Sequence, residues 1–130
     1  MSDPFEREVT VRWRDTDALG HVNHAVFLTY LEEGRDAFFS HVLGVDPIYV
    51  VARIEIDWRA EIRHPDGHVI VRIVPERLGT TSLTTRETIV TASGQTAAEA
   101  LAVTVRWDAA RREPVPFSET ERASLKGLLG

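Results

Sequence analysis

The 130-residue chain has no cysteine, which excludes thiol catalysis, thiolate metal sites and disulfide bridges and points to a reducing compartment. Its length suits one domain spanning residues 1–130, with a core that needs no metal or disulfide to hold it. The formal net charge is -5 and only one of the 15 basic residues is a lysine, which argues against nucleic acid as the partner, because phosphate neutralisation needs clustered cations.

The opening M-S-D-P-F-E-R-E shows no basic region followed by an apolar run, so no secretory signal is expected. No apolar stretch reaches the roughly 18 residues of a membrane span. A cytoplasmic protein without membrane insertion is the expectation.

From Glu8 to Arg14 the chain alternates, with Val9, Val11 and Trp13 on one face, and this predicts a half-buried first strand. The loop D-T-D-A-L-G-H-V-N follows, in which Asp17 and Gly20 are residues that turns favour. At Asn23 the period changes. Phe27, Leu31, Gly34, Phe38 and Val42 recur at helical spacing, so a helix of about 20 residues is expected, with Asn23 as its N-cap and Gly44 and Pro47 as its stop. Gly34 lowers helix propensity within the apolar stripe, so it is expected to mark a close approach of sheet or backbone.

A long second strand is predicted where Ala52, Ile54, Ile56, Trp58, Ala60 and Ile62 alternate with charged residues. Arg63 to Gly67 reads as a turn, Val69 to Leu78 as a third strand, Arg77 to Thr81 as a turn and Ser82 to Val90 as a fourth strand. Ser93-Gly94 closes another hairpin. Thr96 to Trp107 is a good helix by propensity, but its alternation and the preceding hairpin favour a fifth strand. The tail from Pro114 is Pro-punctuated, then mildly helical after Ser118, and is expected to form a peripheral cap.

One long apolar helix with about five strands, most joined by short hairpins, is an α+β pattern with an antiparallel sheet. A sheet curved around the central helix buries both. Its edges stay open unless another subunit pairs with them, so a homodimer or homotetramer is expected.

The run D-T-D-A-x-G, then x-V-x-H-A-x-F at the helix start and L-E-E-G-R within the helix, resembles the hotdog-fold acyl-CoA thioesterases of the 4-hydroxybenzoyl-CoA thioesterase type, most closely their broad-specificity acyl-CoA branch. The order of strand, loop, long helix and four strands extends the likeness over nearly the whole chain. The resemblance implies a hotdog fold, an acyl-CoA substrate, no cofactor and sites at the subunit interface. It implies that Asp17, the second acid of the D-x-D pair, is the catalytic carboxylate. It also implies that the backbone N–H at His24 polarises the thioester carbonyl. The G-H-V-N loop and the following His-Ala belong to different sets of relatives, and Phe27 stands where many relatives have Tyr.

A thioester is already activated, so its hydrolysis needs an oxyanion site and a carboxylate that attacks the carbonyl or deprotonates water. The first turn of a helix supplies the oxyanion site without a metal, from the N–H groups of Asn23 and His24. The same partial positive charge favours an ionised Asp17, a competent nucleophile and a weaker base. The His24 imidazole suits proton transfer as well. Gly20, His21 and Val22 shape the loop and, with Phe27, are expected to contact substrate. The CoA phosphates are assigned to the Arg77 turn with Thr81 and Ser82, for its cation and hydroxyls; Arg59, Arg63 and His64, and Arg111 with Arg112, are other candidates. Asp15 is read as scaffolding and Glu32 with Arg35 as a local i,i+3 pair. Asp15, Asp17, His21 and His24 could together suggest a metal, but their spacing is not that of a helical metal motif, and no metal is expected. The functional expectation is an acyl-CoA thioesterase, against a non-catalytic acyl-CoA-binding or sensor protein and a dehydratase acting on hydroxyacyl thioesters.

Overall fold

Asn23 and Gly44 bracket the central element as capping chemistry dictates. The computed structural model describes residues 3–44 and 49–129, and in it α1 runs His24–Leu43 without a break. The Asn23 side chain accepts the Ala25 N–H at 2.9 Å, and Gly44 takes the left-handed conformation that a helix C-terminus favours, with φ 72°. Pro47, the other stop signal, lies outside the described residues.

Around α1 curls a six-stranded antiparallel sheet. Its strands are β1 (Phe5–Thr10), β2 (Tyr49–Trp58), β3 (His68–Leu78), β4 (Ser82–Thr91), β5 (Thr96–Asp108) and the short β6 (Glu113–Pro114). The order is β1-β3-β4-β5-β2, with β6 beside β5, so β1 and β2 form the two long edges. The chain is therefore an α+β hotdog fold, a helix held in a half-barrel of sheet. A second helix, α2 (Glu119–Lys126), begins with a capping box between Ser118 and Glu121 and buries Leu125.

The core lies between α1 and the inner face of the sheet. Phe27, Tyr30, Leu31, Phe38 and Phe39 meet Val69, Val71, Ile73, Leu83 and Ile89 there. Gly34 faces Val71 so closely that a Cβ on it would sit 2.4 Å from Val71 Cγ1, which is the close approach expected of that glycine. The inner face of β5 is built from Ala98, Ala100, Ala102 and Thr104, while Leu101, Val103 and Val105 are half-buried on the outer face.

Three expectations are corrected. The first strand ends at Thr10 rather than Arg14. Asp15 receives the Arg12 backbone N–H at 3.0 Å, which folds Trp13–Asp15 into a 3-10 turn and leaves Trp13 exposed. The second strand starts at Tyr49 and ends at Trp58, because the N–H groups of Arg59 and Ala60 both turn to the Ala97 carbonyl; Ile62 is still buried, but in the connection that follows. Arg35 does not pair with Glu32. Its guanidinium is buried and donates to Glu87 on β4 at 2.8 and 2.9 Å, with the Thr85 hydroxyl donating to the same carboxylate at 2.7 Å. Burial alone would lower the Arg35 pKa, but these bonds raise it above its ordinary value.

Candidate active site at the start of the central helix

The loop between β1 and α1 is a small hairpin. The Asp17 N–H donates to the His21 carbonyl at 2.9 Å and the Gly20 N–H returns to the Asp17 carbonyl at 3.1 Å. Gly20 holds φ 84°, which a residue with a Cβ rarely adopts. The loop is stitched to the rest of the fold by the Val22 N–H, which donates to Ile62 at 2.7 Å, and by a bridge between His21 and Arg63. These bonds carry Asp17, His21 and the helix start to one end of the molecule.

Asp17 is partly open to solvent. Its Oδ1 accepts the Leu19 N–H at 2.9 Å, and its Oδ2 lies 3.3 Å from His21 Nδ1. Asp15, two residues earlier, has a different setting. It is buried and accepts the Tyr30 hydroxyl at 2.7 Å, so it anchors the loop to α1, in keeping with a scaffolding role.

The helix-start donors separate. The Asn23 N–H donates to the Asp15 carbonyl at 3.0 Å, and the Val26 N–H to the Asn23 carbonyl at 2.9 Å. The Ala25 N–H goes to the Asn23 side chain. The His24 N–H has no such partner among the described residues, which makes it the donor free to meet a ligand oxygen. Asn23 therefore caps the helix and orients the loop, and its own N–H is not available as an oxyanion donor.

Beside these groups runs an open groove of about 300 Å³, lined by His21, Val22, His24, Phe27, Trp58, Arg59, Ala60 and Glu61. The His24 ring stacks on Trp58 with centroids 4.8 Å apart, and Phe27 meets His24 edge-on at 5.9 Å. Phe27 is buried and forms the floor. Trp58 is the contributor that the sequence did not single out. Its alternation with Ile54 and Ile56 marks it as an inward strand residue, yet it ends an edge strand and stands 40% exposed.

The structure gathers His21, Val22, His24 and Phe27 around the groove and sets Asp17 against His21 in the hairpin that Gly20 turns, and it does not bring the Arg77 turn to them within one chain. Thr10 pairs with His68, so the Asp17 loop lies at the start of β3. Arg77, Thr81 and Ser82 lie at its other end, roughly 30 Å away at the rise of a strand. There the turn is pinned by α2, with Arg122 donating to the Gly79 carbonyl at 2.7 Å. Arg14, Arg59 and Arg63 are among the cations at the Asp17 end, with Arg59 also 3.2 Å from Glu99. Among the described residues no three His, Asp or Glu side chains form a group able to hold a metal ion, and no helix is long and apolar enough to cross a membrane.

Comparison with known proteins adds to this geometry. The family model described as the Thioesterase-like superfamily matches residues 11–125. No curated protein matches the chain. Among solved structures, a predicted thioesterase from Bacillus stearothermophilus is 27% identical with a TM-score of 0.87, covering 98% of each chain. A thioesterase from Thermus thermophilus, solved in complex with coenzyme A and Zn, is 34% identical with a TM-score of 0.82, covering 95% of this chain and 92% of that one. A thioesterase candidate from Pseudomonas aeruginosa is 30% identical with a TM-score of 0.84, covering 95% of this chain and 99% of that one.

Proposed function

The chain belongs to the thioesterase-like superfamily, and from that premise we propose that it is an acyl-CoA thioesterase of the 4-hydroxybenzoyl-CoA thioesterase type, releasing a free acid and CoA. The observation that carries this reading is one juxtaposition. A partly exposed carboxylate, Asp17, lies against His21, and His21 shares one aromatic groove with His24, whose N–H is an open helix-start donor. That is the pairing that acyl transfer needs, a nucleophile or base beside a preset oxyanion donor. The coenzyme A bound to the Thermus relative supports the choice of thioester.

In this reading the acyl group lies along Phe27 and Trp58 and its carbonyl oxygen accepts the His24 N–H. The helix dipole then stabilises the charge that develops on that oxygen. Asp17 attacks the carbonyl carbon, or takes the proton of the water that does. The CoA phosphates extend towards cations at the groove mouth, Arg59 and Arg63 from the same chain. The partner's Arg77 turn joins them if β2 edges pair in a homodimer.

Replacing Asp17 by Asn tests the assignment. The variant should fold and bind acyl-CoA as before while kcat falls at least about 100-fold, as for a group that acts in the transition state. Thiol release near the unmodified rate would refute it.

A further inference from the structure

Of the side chains around Asp17, that of His21 meets its carboxylate. The Nδ1 of His21 and Oδ2 of Asp17 are 3.3 Å apart, and the hairpin fixes the two residues opposite one another through the bond from the Asp17 N–H to the His21 carbonyl. His21 also lines the groove, and an imidazole carries its nitrogens on different edges, so a ring that turns Nδ1 to Asp17 keeps Nε2 for a second partner. Both side chains are 28% exposed, open enough for substrate and water to reach. The His24 imidazole, the other candidate for proton transfer, is instead stacked flat on Trp58, with 20° between the rings.

We propose that His21 is the proton carrier of this site, held at Nδ1 by Asp17 and acting through Nε2. The proposal deepens the thioesterase reading and rests on it. In the nucleophilic form of the reaction, Asp17 bonds to the acyl carbon and the C–S bond breaks, its electron pair leaving on sulfur. The protonated His21 gives its proton to that thiolate. Water then adds to the acyl carbon of the mixed anhydride and passes a proton to the now neutral His21, and the C–O bond to Asp17 breaks. Carboxylate and imidazolium are both restored, and the net reaction is thioester plus water to acid plus thiol.

The charged and titratable groups around His21 come from three directions. Asp17 faces it within the hairpin, Arg63 pairs with it across the bridge with His64 next in sequence, and His24, Arg59 and Glu61 share the groove. The hairpin contacts of His21 are made by its backbone, so its side chain can be changed without cutting them.

The test is thiol release from a panel of acyl-CoAs across pH 5–9. His21→Gln should lower kcat about 100-fold or more, with KM moved only a few-fold. It should also change the shape of the pH–kcat profile, which a purely structural histidine would leave in place. In His21→Ala, added imidazole should restore part of kcat, which a purely structural histidine would not allow. A kcat for His21→Gln within about threefold of the unmodified protein would overturn the proposal. So would a loss of activity that leaves the shape of the pH profile unchanged and is not rescued by imidazole. If the unmodified protein releases thiol from no acyl-CoA, the thioesterase reading fails and the proton carrier with it; turnover that is indifferent to His21 removes the proton carrier alone.

Discussion

Two acids separated by a single residue do different work here because their surroundings differ. Asp17 keeps a carboxylate oxygen against His21 at the solvent edge, whereas Asp15 is buried with Tyr30 and Arg12 around it. Burial is the largest influence on Asp15 and pushes its pKa up, but the Tyr30 hydroxyl and the Arg12 backbone N–H and guanidinium outweigh it, and Asp15 is held below its ordinary value. A depressed carboxylate stabilises the fold in full above its unfolded value of about 4, and that contribution disappears as pH falls through the lower folded value. Asp15→Asn should therefore cost about 1.5–3 kcal/mol at pH 7, the worth of hydrogen bonds to a charged group. Urea unfolding at pH 7 and at pH 3 checks this. The gap between variant and unmodified protein should narrow at the lower pH, and an equal gap at both would show that the charge is not its source.

At the scale of elements, what could be read from the sequence was what neighbours in the chain decide. The Asn23 cap, the apolar stripe and Gly44 set both ends of α1, and strand alternation located β3, β4 and β5. The misreadings came where a distant residue decides. Arg35 has Glu32 within one turn, but Glu87, 52 positions away, takes it into the core. Trp13 continues the alternation of strand one, but the anchoring of Asp15 to Tyr30, 15 positions away, folds it outward. Trp58 belongs to the groove because β2 is an edge strand, and strand order is not written in a period of two. Gly34 was legible as a close contact, and its partner Val71 was not. Alanine there would gain up to about 1 kcal/mol of helix propensity. Yet its Cβ would lie 2.4 Å from a buried, branched side chain, and overpacking of that kind costs about 1–3 kcal/mol. Gly34→Ala should accordingly lower the urea midpoint, and Gly34→Ala with Val71→Ala should recover part of the loss. A midpoint that rises with Gly34→Ala alone would show that α1 can shift away from β3.

For the whole molecule, the unanswered question is how cations at one end of the sheet could serve a carboxylate at the other. The outer side of β2 has no strand beside it among the described residues, and Val50, Val51 and Trp58 stand exposed along it at 37%, 41% and 40%. In the proposed homodimer two copies of β2 pair antiparallel about a two-fold axis. The Trp58 end of each then lies beside the Tyr49 end of the other. Tyr49 pairs with Arg106 and Ser82 with Val105, so the partner's Arg77 turn, between its β3 and β4, arrives three to four strands from the first chain's β2. At about 4.8 Å per strand that is roughly 14–19 Å rather than the roughly 30 Å within one chain. A register centred on Ile54 would also set Arg53 opposite Glu55 twice, a favourable cross-strand pair. Light scattering should thus give twice the 14.6 kDa of the chain. Val50→Asp with Val51→Asp places like charges on both faces of the joined edge and should yield a monomer with an unchanged far-ultraviolet spectrum. Its kcat/KM for acyl-CoA should fall about tenfold or more, chiefly through KM, because the binding contacts supplied by the partner are lost while Asp17 and the His24 N–H stay in place. A monomer that keeps full kcat/KM would leave the groove complete within one chain, with its phosphate contacts supplied by cations of that chain such as Arg59 and Arg63.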